Sequence, residues 1–324
     1  MPGPSRRLLR LFGPLGLALL LLVPNSLPVS ALSPIYPSLS HGNRGSDVRA
    51  LEALLVERGH PVAIDGVFSI PVRDAVAAFQ TARGLAATGI VSPTTWTRLT
   101  RVLGSSSTGQ AVRAVQRLLN EKRTARLTVT GRMDAATRAA IIAFQRHMGI
   151  TADGVVRGAT WRALLGHFEL PQFGLAALCD YNVGNGPANW GTGEAIGQLE
   201  AGASATYAAG YGPVAVGDIG LEHGGDIPLH QSHERGLDVD LRPMRDNNDQ
   251  CAYPTNWRIG SYDRTATRAL IQAIRAKAPG HVKLIYFNDL VLIREGLTRW
   301  YTGHDDHLHI RYCERSHPVA AYRC

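Results

Sequence analysis

The sequence predicts a multidomain chain: two small all-α three-helix repeats followed by an α+β domain with a central antiparallel sheet. Three observations predict it. A duplication fills the first half of the chain at an offset of about 64 residues, and apolar residues within each copy recur at helical spacing. Beyond Phe168 that pattern gives way to Gly-rich segments and short alternating runs. Strands with few helices and no regular βαβ alternation mark an α+β domain.

The chain opens on a basic start (Arg6, Arg7, Arg10) and an apolar run from Leu11 to Val23. A small-residue site follows at Val29-Ser30-Ala31. This is the layout of a secretory signal peptide, expected over residues 1–31, and the run is shorter than a membrane-spanning helix needs. A secreted, periplasmic or wall-associated protein is therefore expected, with no stable membrane anchor after cleavage. The formal net charge of +8 suits nucleic acid, an anionic membrane surface or an acidic wall polymer. No dense Lys/Arg block follows the first ten residues, so nucleic acid is not expected as a partner. Four cysteines, Cys179, Cys251, Cys313 and Cys324, all lie in the last half, without a CxxC pair. An even number in an exported chain favours disulfides over a zinc ribbon. Four cysteines allow three pairings; the expectation is Cys313–Cys324 with Cys179–Cys251.

The Pro/Ser-rich residues 32–42 read as a linker. The first repeat follows at 43–102 and the second at 106–166. Val48, Leu51, Leu54 and Leu55 form one helical stripe, with Ser46 placed to cap it. Val72, Ala75, Val76 and Phe79 form a second, stopped at Gly84, and Thr95, Trp96 and Leu99 fall in a short third helix. Phe79-Gln80, Gly84, Gly89 and Trp96 return as Phe144-Gln145, Gly149, Gly154 and Trp161. Units this small bury little, so the two are expected to pack together. The order of signals resembles the peptidoglycan-binding domain. Gly45-Ser-Asp-Val-Arg49, Asp65-Gly66-Val67-Phe68 and Ala78-Phe79-Gln80 carry the resemblance, echoed by Thr130-Gly131-Arg132-Met133 and Ala143-Phe144-Gln145. Taken singly, these residues read as core, turns and caps. Peptidoglycan as a partner is implied by the resemblance alone.

In the domain spanning 170–324, alternation predicts strands at Leu237–Leu241 and Val282–Phe287. Leu270, Ile271 and Ile274 mark one helix, Tyr262–Lys277, closed by Pro279-Gly280. Two clusters carry the chemistry: His230-Gln-Ser-His233-Glu-Arg-Gly-Leu-Asp238-Val-Asp240 and His304-Asp305-Asp306-His307-Leu-His309. Residues two apart on a strand share a face, so Asp238 joins Asp240, and His307 joins His309. If the two strands are neighbours, imidazole and carboxylate groups meet over an apolar underside, and His233 reaches back over its strand. Two imidazoles and a carboxylate form a common ligand set for catalytic zinc. The other histidines, His60, His147, His167, His223, His281 and His317, are expected to have no special role.

Gly217-Asp218-Ile219, His230-x-Ser-His233, Gly236-x-Asp-Val-Asp240 and Gly303-His-Asp-Asp-His-Leu-His309 resemble the penicillin-insensitive murein endopeptidases, zinc peptidases sharing H-x6-D followed by H-x-H. The resemblance implies Zn2+ held by His233, Asp240 and His309, with His307 as the catalytic non-ligand histidine. His230 and His304 match family histidines near the metal. Asp305 and Asp306, and more weakly Asp238, are candidates to fix a histidine tautomer. No HExxH helix and no G-x-S-x-G is present, so Glu-based zinc chemistry and serine catalysis are not indicated. The implied activity is hydrolysis of peptide cross-links in peptidoglycan. The alternatives are a D-alanyl-D-alanine carboxypeptidase, and a non-catalytic wall-binding protein whose structural metal takes His230 as a fourth ligand.

Overall fold

The computed structural model describes residues 34–181, 188–228 and 230–324. The signal peptide expected over residues 1–31 lies outside the described residues. No helix among those described is long and apolar enough to cross a membrane.

Each repeat is a three-helix unit: α1 (Ser46–Glu57), α2 (Ile70–Ala82) and α3 (Pro93–Leu99), then α4 (Gln110–Arg123), α5 (Ala135–His147) and α6 (Gly158–Gly166). The stripes read from the sequence meet in one core shared by both copies, with Trp96, Phe79, Trp161 and Phe144 buried in it. Buried glutamines pin the turns in matching ways. Gln80 Oε1 accepts from the Gly89 N–H at 3.0 Å, and Gln145 Oε1 from the Gly154 N–H at 2.9 Å. Both glycines have positive φ (65° and 74°), which L side chains adopt at a cost. In the first helix of each copy the matching residue differs. Glu52 accepts from the Gly66 N–H, whereas Gln116 accepts from the Gly131 N–H.

Two expectations need correction here. Residues 34–42 are not a free linker. Leu39 is fully buried and bridged to Val91, and the Trp96 indole donates to the Pro37 carbonyl at 2.8 Å. The same stitch recurs in the second copy, where Leu103 bridges Val156 and Trp161 donates to Arg101. Ser46 does not cap α1. The N-cap is Gly45, and the Ser46 hydroxyl donates instead to Glu169 at 2.5 Å.

The second half is an α+β domain around a five-stranded sheet of order β1-β2-β3-β5-β4. Its strands are β1 (Leu178–Asp180), β2 (Val214–Val216), β3 (Asp238–Leu241), β4 (Val282–Tyr286) and β5 (Leu308–Tyr312). Only β1 and β2 pair in parallel; the central strands are antiparallel. α7 (Gly193–Ala208) and α8 (Arg264–Lys277) lay Ile196, Leu199, Leu270, Ile271 and Ile274 against Val216, Val239, Leu241, Leu308 and Ile310. α9 (Leu290–Arg294) and a short 3-10 turn (Ala320–Tyr322) complete the domain. Asp263 caps α8, accepting from the Ala266 N–H at 2.9 Å. Both expected disulfides are present, Cys179–Cys251 tying β1 to the loop after β3 and Cys313–Cys324 closing the end of β5 onto the C-terminal residue.

α7 has no counterpart in the sequence reading, because its glycines hide it. They are the points where it touches its neighbours. A Cβ on Gly197 would stand 2.4 Å from the Gly45 Cα, and one on Gly202 would stand 2.9 Å from Ile274 Cγ1. Side-chain-free positions let α7 press against the start of α1 on one side and α8 on the other. Beside this crossing, the buried Lys122 ammonium donates to Asp47 and to the carbonyls of Leu165 and His167.

Candidate functional site

β3 and β5 lie side by side, with Asp240 opposite His309 and Asp238 opposite Arg311. Strand alternation sends Val239, Leu241, Leu308 and Ile310 into the core, leaving these four polar residues to the other face. His309 Nδ1 lies 3.0 Å from Asp240 Oδ1, and its Nε2 lies 3.0 Å from Asp238 Oδ1. Burial alone would lower the His309 pKa, but the hydrogen bonds to Asp238 and Asp240 overcome it and push the value up to about 9. Burial would likewise raise both aspartates. Hydrogen bonds and charge from His309, joined by Arg311 at Asp238 and by His233 at Asp240, hold them well below the usual carboxylate range.

His233 enters from the loop before β3 at φ 77°, a left-handed conformation that costs a non-glycine residue. Two bonds hold it there: its N–H donates to Asp238 Oδ2 at 3.1 Å, and its Nδ1 meets the Ile219 carbonyl at 3.1 Å. A carbonyl only accepts, so Nδ1 carries a proton, and Nε2 lies 3.4 Å from Asp240 Oδ2. His230 packs edge-on against the His233 ring with centroids 4.8 Å apart, and its Nε2 lies 3.1 Å from Asp218 Oδ2. Ligand atoms of His230, His233 and Asp240 all lie within 4.8 Å of one another, while His309 reaches the same Asp240 across the sheet.

The second cluster forms the outer wall of the site. His304 and His307 rings lie 4.5 Å apart, and His304 also meets Tyr286 and Tyr301. Burial lowers the His304 pKa. The partly exposed His307 places Nδ1 2.9 Å from Asp306 Oδ1. Asp305 does something different: it accepts from the Trp257 indole at 3.1 Å and the Asn288 amide at 2.8 Å, fastening a loop and not a histidine. Asp238 is the carboxylate beside a ligand candidate.

Sequence reasoning gave no role to Arg311 and Tyr322. Arg311 Nε donates to Asp238 Oδ1 at 2.6 Å, and the Tyr322 hydroxyl to Asp238 Oδ2 at 2.9 Å. Arg311 was legible, since it follows His309 by two on one strand. Tyr322 was not, because only the fold returns the C-terminal turn to β3. Of the histidines expected to have no special role, His60 packs edge-on against Phe79, and His281 and His317 hydrogen-bond to backbone carbonyls. His147, His167 and His223 instead converge on one another, away from this site.

Imidazoles and carboxylates gathered on one sheet face, behind two helical repeats, define a histidine–carboxylate centre with the donors of a metal site. Residues 184–274 match the family of the penicillin-insensitive murein endopeptidase, and residues 44–99 and 108–164 match the peptidoglycan binding domain. The chain is thus two peptidoglycan-binding repeats followed by a domain of the murein endopeptidase family. The endopeptidase match contains His230, His233, Asp238 and Asp240 and ends before His304. No curated protein matches the chain. Among solved structures, a peptidoglycan-binding protein from Clostridioides difficile, crystallised with glutamine hydroxamate, is 39% identical over 20% of this chain, with a TM-score of 0.20. The Burkholderia AP3 phage endolysin is 29% identical over 32% of it, with a TM-score of 0.19. The chain spans only 40% and 36% of those two proteins' own lengths.

Proposed function

We propose that the protein is an extracytoplasmic zinc endopeptidase that hydrolyses peptide cross-links in peptidoglycan, held on its polymer by the two repeats. The observation that carries this reading is the cross-strand pair Asp240 and His309, with His233 Nε2 3.4 Å from the same carboxylate. The donor set fits zinc: two imidazoles and one carboxylate, with His309 backed by Asp238 and His233 fixed in its tautomer by the Ile219 carbonyl. His233, Asp240 and His309 would hold the ion. Zinc, when bound, supplies Lewis acidity toward the scissile carbonyl and the attacking water.

The residues around it handle protons and position. Asp306 accepts from His307 Nδ1, which leaves His307 Nε2 as the base facing the open side. His307 takes the proton of the attacking water and returns it to the leaving amine, and Asp306 stabilises the imidazolium between the two steps. His304, wedged among Tyr286, Tyr301 and His307, fixes the angle of the His307 ring. His230, hydrogen-bonded to Asp218, buttresses His233. The exposed Trp300 and Tyr301, just ahead of this cluster in the chain, offer flat surfaces to a peptide stem. Both disulfides suit an oxidising compartment.

The test is a pair of variants. His309→Ala is expected to lose one bound zinc per chain and activity on purified peptidoglycan together. His307→Ala is expected to keep zinc within twofold and lose turnover by a factor of about 100 or more. Wild-type turnover in either variant contradicts the assignment.

A further inference from the structure

A second group of metal-type donors lies outside the site on β3 and β5. His147 ends α5, His167 follows α6, and Glu222 and His223 open the loop that continues to His230 and His233. One ligand atom from each of the three histidines lies within 4.8 Å of the others. Glu222 Oε1 stands 3.0 Å from His147 Nε2 and 3.6 Å from His167 Nε2.

His167 is the informative member. Its side chain is fully buried, and its Nδ1 lies 2.5 Å from the Phe168 carbonyl. That carbonyl accepts from the Nδ1–H, so in the neutral ring Nε2 carries a bare lone pair aimed into the cluster. This Nε2 has no hydrogen-bond partner among the described residues. A buried, oriented and unpartnered nitrogen costs free energy of about 1–3 kcal/mol unless something binds it. A carbonyl fixing one ring nitrogen while the other points at three further donors is the arrangement by which proteins orient metal-binding imidazoles.

We infer that His147, His167, His223 and Glu222 form a second divalent-metal site, with zinc or a similar borderline first-row cation, that fastens the second repeat to the loop carrying His230 and His233. Three imidazoles and one carboxylate complete a closed tetrahedral set, the form of a structural ion. Zinc–nitrogen distances near 2.1 Å require the rings to draw in by roughly an ångström. His147 is exposed and His223 partly so, which leaves them room to move. Arg123 is ion-paired with Glu222 beside the cluster. The adjoining cavity, lined by His167, Glu222, His223 and Glu314, gives an ion a way in. Nothing in this inference depends on zinc at Asp240 and His309.

The experiment is zinc content of the full chain by mass spectrometry after loading with Zn2+ and desalting, with folding checked by circular dichroism. His147→Ala/His223→Ala is expected to hold one zinc fewer per chain than the wild type. His233→Ala/His309→Ala is expected to retain one zinc, lost when His147→Ala and His223→Ala are added. Equal zinc in the wild type and in His147→Ala/His223→Ala overturns the site, as does a folded His233→Ala/His309→Ala chain without zinc. If the wild type holds one zinc and His147→Ala/His223→Ala none, the second site stands and zinc at the first does not. His147→Gln, a surface change that keeps the fold, is expected to lower zinc affinity at least tenfold.

Discussion

Asp238→Asn is the sharpest perturbation of the proposed active site, because Asp238 is no proposed ligand itself and acts on the ligands only through the His309 ring and the His233 backbone N–H. Its carboxylate is fully buried and meets four donors: His309 Nε2 at 3.0 Å, Arg311 Nε at 2.6 Å, the Tyr322 hydroxyl at 2.9 Å and the His233 N–H at 3.1 Å. Two carboxylate oxygens can satisfy all four. An asparagine of the same shape has one oxygen, and its amide would face at least one donor with another. The charge that balances Arg311 and His309 also disappears. Two effects follow. Zinc affinity should fall about 10- to 100-fold, the usual result of removing a carboxylate behind a ligating imidazole. Stability should fall by roughly 3 kcal/mol, as expected when a buried charge loses its partner. The assay is competition for Zn2+ against a chromophoric chelator, with urea unfolding in parallel. Asp305→Asn, whose carboxylate serves Trp257 and Asn288, is the control and should leave zinc affinity within twofold. Wild-type affinity in folded Asp238→Asn would refute the orienting role.

Two further outcomes concern the fold. Burial raises the Glu52 pKa to about 8, so the folded state prefers the protonated acid. Its stabilising contribution is therefore complete below the ordinary carboxylate pKa and is lost as pH climbs from about 4.5 to about 8. Glu52→Gln, which installs the residue that Gln116 already supplies in the second repeat, should gain on the order of 2 kcal/mol over the wild type at pH 8.5 and little at pH 4.5; a gain equal at both pH values contradicts this. Gly197→Ala would put a methyl group 2.4 Å from the Gly45 backbone and should cost roughly 1–3 kcal/mol in thermal unfolding, whereas Gly174→Ala, with nothing within 4 Å, should be neutral. Equal melting temperatures for the two would show that the α1–α7 contact is loose.

What the sequence disclosed follows from how local each signal is. The six repeat helices announce themselves through stripes such as Val48-Leu51-Leu54-Leu55, because an amphipathic helix writes its buried face at a fixed period. Asp238 and Asp240 sharing a face with His309 was legible for the same reason at period two. α7 was not, since Gly193, Gly197 and Gly202 lower helix propensity and serve contacts with partners distant in the chain. Residues 34–42 read as a linker by composition, yet Leu39 and the Pro37 carbonyl are structural partners of residues some fifty positions on. His147, His167 and His223 carry no common motif; only the docking of the second repeat on the sheet domain brings them together. Ser46 has the composition of a cap, but Glu169 takes its hydroxyl.

The most direct test of the proposed function is mass spectrometry of the fragments that the full chain releases from purified, cross-linked peptidoglycan, with and without a zinc chelator. A zinc endopeptidase converts cross-linked dimers to monomers without chelator and leaves them intact with it. Release of a terminal alanine alone would make it a carboxypeptidase. Dimers left intact by folded, zinc-loaded protein would contradict the assignment of an enzyme.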